Sequence, residues 1–368
     1  RHLLAAALRL LACCHLLLVI ASCSKPPTLH HQESYVFGTR VEVLVYGERE
    51  ANARSAAAAV LREFDRLHRM LHAWQPSELT ALNAAIARGE PATVPLELAD
   101  LLRHAQSIAA KGDQLFNPAI GRLIALWGFQ SDDFKPQIPP QPAIDALLRS
   151  APDMRDIEID GVRITSRNPQ VALDLGGYAK GYALDRAAAI LRSRGIANAL
   201  INIGGNVMAL GAKGGQPWRV GIQHPRGPNT LASMPLYDGE AVGTSGDYQR
   251  YFELDGKRYC HLLDPRSGRP ADAVQAVTAL VTPREHAGAL SDAASKPLFI
   301  ASDAEWQRLA ARLEIRHVLR VDAEGRLTAT RTLAERLELA PGTDNVDAVL
   351  RECLAEPLER LARSTMRR

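Results

Sequence analysis

Several large protein classes are excluded by what this chain lacks. Its 44 lysines and arginines nearly balance 41 aspartates and glutamates, and a net charge of +3 offers no broad basic face for nucleic acid. Five cysteines, at positions 13, 14, 23, 260 and 353, form no Cys-x-x-Cys pair and no Cys/His metal spacing. Cys260 and Cys353 alone are open to pairing in an oxidising compartment. There is no internal repeat, no low-complexity tract, no Walker A loop and no GxGxxG fingerprint. One apolar run stands at the N-terminus, too short for a comfortable membrane span. What remains is ordinary for a globular protein: 46% apolar and 23% charged residues. At 368 residues the chain suits one large domain or two small ones, with a sizeable core.

The first 23 residues read as an export signal, with Arg1 and Arg9 around apolar residues and small residues before Cys23. That ending is similar to a bacterial lipobox, in which Cys23 carries the lipid. An ordinary secretory signal with an incidental cysteine is the alternative. Residues 24–34 read as a polar tether, 35–343 as the functional domain, and 344–368 as an amphipathic helical tail.

Alternation predicts a strand from Tyr35 through Tyr46. Helical spacing predicts Ala51–Leu71, Leu98–Ala110, Gly181–Gly195 and Ala287–Ile300. Pro136–Pro142 reads as a surface break. Strands are expected at Ile157–Thr165, Val171–Leu173, Ala199–Ile203, Trp218–Ile222 and Val277–Thr282. Hairpins are expected around Asp255-Gly256 and Glu324-Gly325. Intermixed strands and helices predict a mixed α/β (α+β) fold with a mainly antiparallel sheet.

Four segments carry chemistry. Asp174 to Asp185 holds Gly176, Gly177 and Lys180 between a strand and a helix, where free amides and an ammonium suit a phosphate. Ile203-Gly204-Gly205-Asn206 is a second double-glycine turn. Thr244-Ser245-Gly246-Asp247, followed by His261 and Asp264, gathers hydroxyls, carboxylates and a proton-accepting imidazole. Ser291 to Lys296 offers Asp292 at an expected helix start, an oxygen-rich setting for Mg²⁺. Each segment alone also reads as a turn or an N-cap.

Taken in order, these segments resemble the FAD:protein FMN transferase family, also called the ApbE family. The likeness runs from about Tyr35 to Ile300. It includes FGTRVEV, PSELTALN at 76–83, GDQLFNPAIGRLIALWGF at 112–129, DLGGYAKGYALD at 174–185, INIGGNV at 201–207, TSGDYQRYF at 244–252, HLLDPRSGRPA at 261–271 and SDAASKPLF at 291–299.

The resemblance implies an ApbE-like fold with a core related to the tunnelling fold. It implies a lipoprotein on the periplasmic side of the inner membrane that uses FAD as substrate and Mg²⁺ as cofactor. Such an enzyme releases AMP and links FMN through a phosphoester to a threonine of a target redox-complex subunit; nucleic acid is not a partner. A periplasmic FAD pyrophosphatase and a non-catalytic flavin-binding lipoprotein are the alternatives. The resemblance places His261, Asp292 and Lys180 in catalysis, with His261 as base. Asp292 would ligate the metal, helped by the Gly176 backbone. Trp74 would stack on an FAD ring, and Glu78, Asp174, Gly177, Gly204, Gly205, Thr244, Ser245, Gly246, Asp247 and Asp264 would line the cleft. Lys296 stands at a metal position where the family commonly has threonine. Asn117, Ala119, Phe37 and Cys260 also depart from the usual residues.

Overall fold

The computed structural model describes residues 27–343 except 132 and 134. The signal, Cys23 and the tail lie outside the described residues, as does Cys353. No helix among the described residues is long and apolar enough to cross a membrane.

One eight-stranded sheet frames the molecule. Its strands are β1 (Leu29–Val36), β2 (Thr39–Tyr46), β3 (Ala199–Ile203), β4 (Asn206–Leu210), β5 (Ala241–Gly246), β6 (Val274–Val281), β7 (His317–Asp322) and β8 (Leu327–Ala329). They lie side by side in chain order, and every neighbouring pair is antiparallel. The mixed fold with an antiparallel sheet is therefore as expected.

Burial follows from what covers each face. The helix α2 (Ala179–Ser193) packs against both α1 (Glu50–Leu71) and α3 (Ala287–Ile300), and α3 lies on β5 and β6. A second core on the opposite face joins Trp218, Val220 and Met234 of a small sheet to Val242, Ala276 and Leu280. Central β6 is thus buried at all its positions and is apolar except for Gln275 and Thr278. Nearer the edge, β2 alternates.

Several expectations need correction. Residues 29–34, placed in the tether, form most of β1, pairing from Leu29↔Tyr46 to Val36↔Thr39. This edge strand is mostly solvated, so its polar residues carry no alternating apolar signal. The strand expected from 35 to 46 is broken by a hairpin turn at Phe37 and Gly38, with φ of 57° and 69°. Pro142 lies inside the helix Gln141–Ser150, in the first turn, where a missing N–H costs little. Val171–Leu173 contributes only a bridge, Ile120↔Ala172. Ser291 and Asp292 sit inside α3, which begins at Ala287, so neither is its N-cap.

Candidate functional site

The site starts where α2 crosses α3. A Cβ on Gly181 would stand 2.2 Å from the Gly288 carbonyl oxygen and 2.6 Å from Asp292 Cβ. On β5, a Cβ on Gly243 would stand 2.3 Å from the Ser291 oxygen. Only glycines permit this approach of three backbones. Asp292, with 0% exposure, is sealed into the crossing. Its Oδ2 accepts the Gly181 amide at 2.9 Å. Its Oδ1 pairs with the Lys296 ammonium, which also donates to the Asp292 carbonyl at 2.8 Å. Burial works against the charged carboxylate, but Lys180 and Lys296 outweigh it and hold Asp292 at about 2. Burial pushes Lys296 down to about 8 against the pull of Asp292.

Asp185 secures the same crossing. It accepts the amides of Gly288 and Ala289, both at 2.8 Å, and so caps α3 from α2. Burial pushes its carboxyl up to about 6.

The turn before α2 is tied down by its own carboxylate. Asp174 Oδ1 accepts the Gly176 amide at 2.9 Å, and Oδ2 accepts Gln130 Nε2 at 2.9 Å. Lys180 donates to the Gly176 carbonyl at 3.3 Å. A Cβ on Gly177 would lie 3.1 Å from Lys296 Cε, so this glycine makes room for the lysine stem. The expectation of free amides here is corrected at two positions: Asp174 takes Gly176 N–H, and Asp292 takes Gly181 N–H. Positive charge at the turn comes from Lys180 and Lys296.

His261 faces the same charges. Its Nδ1 lies 3.1 Å from the Arg250 carbonyl oxygen, an acceptor, which assigns the proton to Nδ1 and leaves Nε2 with a lone pair. Burial, then Arg250, Lys180 and Lys296, push the imidazole down to about 3. Both lysines therefore act on His261 and on Asp292, which joins the two residues in one electrostatic neighbourhood. Arg250 donates to the carbonyls of Phe129 at 2.9 Å and Ser131 at 3.0 Å. Its guanidinium is 5.9 Å from the Trp74 ring centroid, and Trp74 is 37% exposed. Gly204 and Gly205, with φ of 56° and 91°, close the β3–β4 hairpin beside Thr39 and Gln249.

The other expected residues have definite places. Ser245 Oγ meets Ser295 Oγ at 2.7 Å, and Ser295 donates to the Asp292 carbonyl at 2.7 Å. Thr244 bonds Thr278 across the sheet at 3.0 Å. Gly246 lies against the Tyr248 ring. Asp247 is bound by both nitrogens of Arg226 at 2.7 and 2.6 Å, and Asp264 by Arg266 at 2.9 Å, so their carboxylates already hold arginines. Glu78 is exposed in the first turn of Glu78–Ala87. Sequence reasoning missed Gln130, Arg250, Asp185, Gly243 and Gly288. For Asp185 and Gly288 the only signal was a carboxylate and a small residue inside predicted helices.

Asp292 supplies oxygens of the kind magnesium takes. Its Oδ1 and carbonyl oxygen both hold the Lys296 ammonium, and the Gly176 carbonyl holds Lys180. A divalent cation on these oxygens would meet two ammoniums at hydrogen-bonding range. The residues present do not fit a magnesium ion here.

The fold and site define a class: a mixed α/β protein that gathers two ammoniums, a buried carboxylate and a neutral imidazole beside an antiparallel sheet. The model of the ApbE family matches residues 37–319, and the chain belongs to that family. The FAD:protein FMN transferase of Rhodobacter capsulatus is 43% identical over 308 residues, covering 84% of this chain and 58% of that protein. This chain thus spans little more than half of that relative's length. An FAD:protein FMN transferase of Klebsiella pneumoniae (strain 342) is 33% identical over 259 residues, 69% of this chain and 78% of that protein. The crystal structure of the ApbE protein of Thermotoga maritima matches with a TM-score of 0.77 and 31% identity, covering 84% of this chain and 99% of that one.

Proposed function

We propose that this protein is an FAD:protein FMN transferase. A threonine hydroxyl of an acceptor protein attacks the FMN phosphorus of FAD. A new P–O bond forms, the P–O bond to AMP breaks, and AMP leaves. The hydroxyl proton passes to His261 Nε2, the nitrogen left without hydrogen by the Arg250 carbonyl. Lys180 and Lys296 offset the charge that develops on the phosphate oxygens. Trp74 offers an exposed indole for stacking on a ring of FAD. An arriving pyrophosphate brings negative charge beside His261 and raises its basicity from the low value set by the neighbouring cations.

The observation that carries this reading is the enclosed Lys296–Asp292 pair at the crossing that also bears Lys180, with a His261 whose Nδ1 is held by the Arg250 carbonyl, in a chain of the ApbE family. Such a centre has a base, and cations for a diphosphate. The names of the Rhodobacter and Klebsiella relatives support the same substrate and a protein acceptor. The proposal extends, from the N-terminal sequence, to a lipid anchor on Cys23 facing the periplasm and a membrane redox subunit as acceptor.

The test is incubation with FAD and a redox subunit carrying a Ser/Gly/Ala/Thr acceptor segment, followed by denaturing electrophoresis. Flavin fluorescence on the denatured acceptor is the expected result. Free FMN without labelled acceptor means hydrolysis, and intact FAD means no catalysis.

A further inference from the structure

The residue at position 296 changes what this site needs. Lys296 lies one helical turn after Asp292 in α3, so its ammonium reaches back to that residue. Exposed pairs of this spacing contribute little, but this one is enclosed: Asp292 is 0% exposed and the Lys296 side chain 12%. The fit is built from both sides. Gly177 leaves space for Cε, and the Gly181 amide holds the other carboxylate oxygen at 2.9 Å. An ammonium has three protons. Two point to the Asp292 carbonyl and carboxylate, and among the described residues no acceptor takes the third.

The charges add up without a metal. Lys180 and Lys296 against Asp292 leave one net positive charge at the crossing. The geometry points to Lys296 as a built-in replacement for a divalent cation: its ammonium occupies the oxygens a metal would take and presents its remaining proton to the pyrophosphate of FAD. Reading the ligand as FAD rests on the function proposed above; the occupation of the cation position does not.

The experiment pairs magnesium titration calorimetry with AMP release from FAD in the presence of the acceptor subunit, in EDTA and in magnesium, on the full chain. The wild type is expected to show no magnesium binding beyond that of Asp292→Asn, and an AMP-release rate unchanged by EDTA. Lys296→Thr is expected to gain a magnesium site and become EDTA-sensitive. Lys296→Met is expected to lose about 100-fold in rate without gaining metal binding. Thermal melts establish that each variant is folded, and the EDTA dependence of the wild-type rate decides the point even if a variant is not. Wild-type magnesium binding that disappears in Asp292→Asn would overturn the inference, as would AMP release stopped by EDTA and restored by magnesium. If no form cleaves FAD in either condition, the functional reading falls while the titration still decides the role of Lys296.

Discussion

The Gly181 amide donates to Asp292 Oδ2 at 2.9 Å, and this single bond ties the start of α2 to the middle of α3. It exists because the two helices touch backbone to backbone. A methyl group on Gly181 would fall within 2.2 Å of the Gly288 oxygen. Gly181→Ala should therefore lower stability by about 1–3 kcal/mol, an overpacking cost, and reduce turnover as Asp292 shifts. Chemical denaturation and AMP-release rates check this. An unchanged midpoint would mean that the crossing is looser than described.

The cap from Asp185 carries a pH signature. Burial raises its folded-state carboxyl to about 6, above its ordinary value of 3.8. The folded state holds this proton more tightly than the unfolded state does. Its contribution to stability is therefore full below the ordinary value and is lost as pH rises through about 6. Asp185→Asn should flatten that part of the profile, at some loss of stability because one amide loses its carboxylate acceptor. Melting temperatures measured across that window for both proteins decide it.

For His261 the sign is opposite. Its imidazole is pushed down to about 3, so the ring stays neutral through the mildly acidic range. Stability from keeping the ring neutral is full above the ordinary imidazole value and is lost as pH falls through about 3. The kcat/KM of AMP release, which reports the free enzyme, should show no loss from histidine protonation between about pH 8 and about pH 5. His261→Ala should cost about 100- to 10,000-fold in that rate, the range for a lost general base. A wild-type acidic limb in kcat/KM near the ordinary histidine value would contradict the described surroundings.

The Trp74 ring makes an edge contact with His72, their centroids 4.6 Å apart. Trp74→Ala should weaken FAD binding by about fivefold, or about 1 kcal/mol, the worth of a stacked ring pair. Turnover at saturating FAD should change less. Fluorescence titration and a KM-against-kcat comparison separate the two effects.

Local chemistry explains which parts were legible in the sequence. Ala199–Ile203 and Ala287–Ile300 were read with their observed bounds because their residues are buried or alternate plainly. Asp255-Gly256 announced its hairpin through a turn that needs positive φ at both positions. Polar β1 gave no such signal, since it is held mainly by pairing with β2. At the site, residue types in sequence order pointed to Lys180, His261 and Asp292. The crossing that joins Gly181, Gly288 and Asp292 was not legible, because a close approach between distant segments leaves only small residues as its trace. The commitment of Asp247 to Arg226 and Asp264 to Arg266 was equally hidden: a carboxylate's partner is set by the fold.

The most direct test of the account is the intact mass of an acceptor subunit co-expressed with this protein. The expected acceptor is heavier by one FMN phosphoester, an addition absent when the acceptor threonine is replaced by alanine and strongly reduced with His261→Ala. An acceptor of unchanged mass, in the presence of folded protein and FAD, would contradict the account.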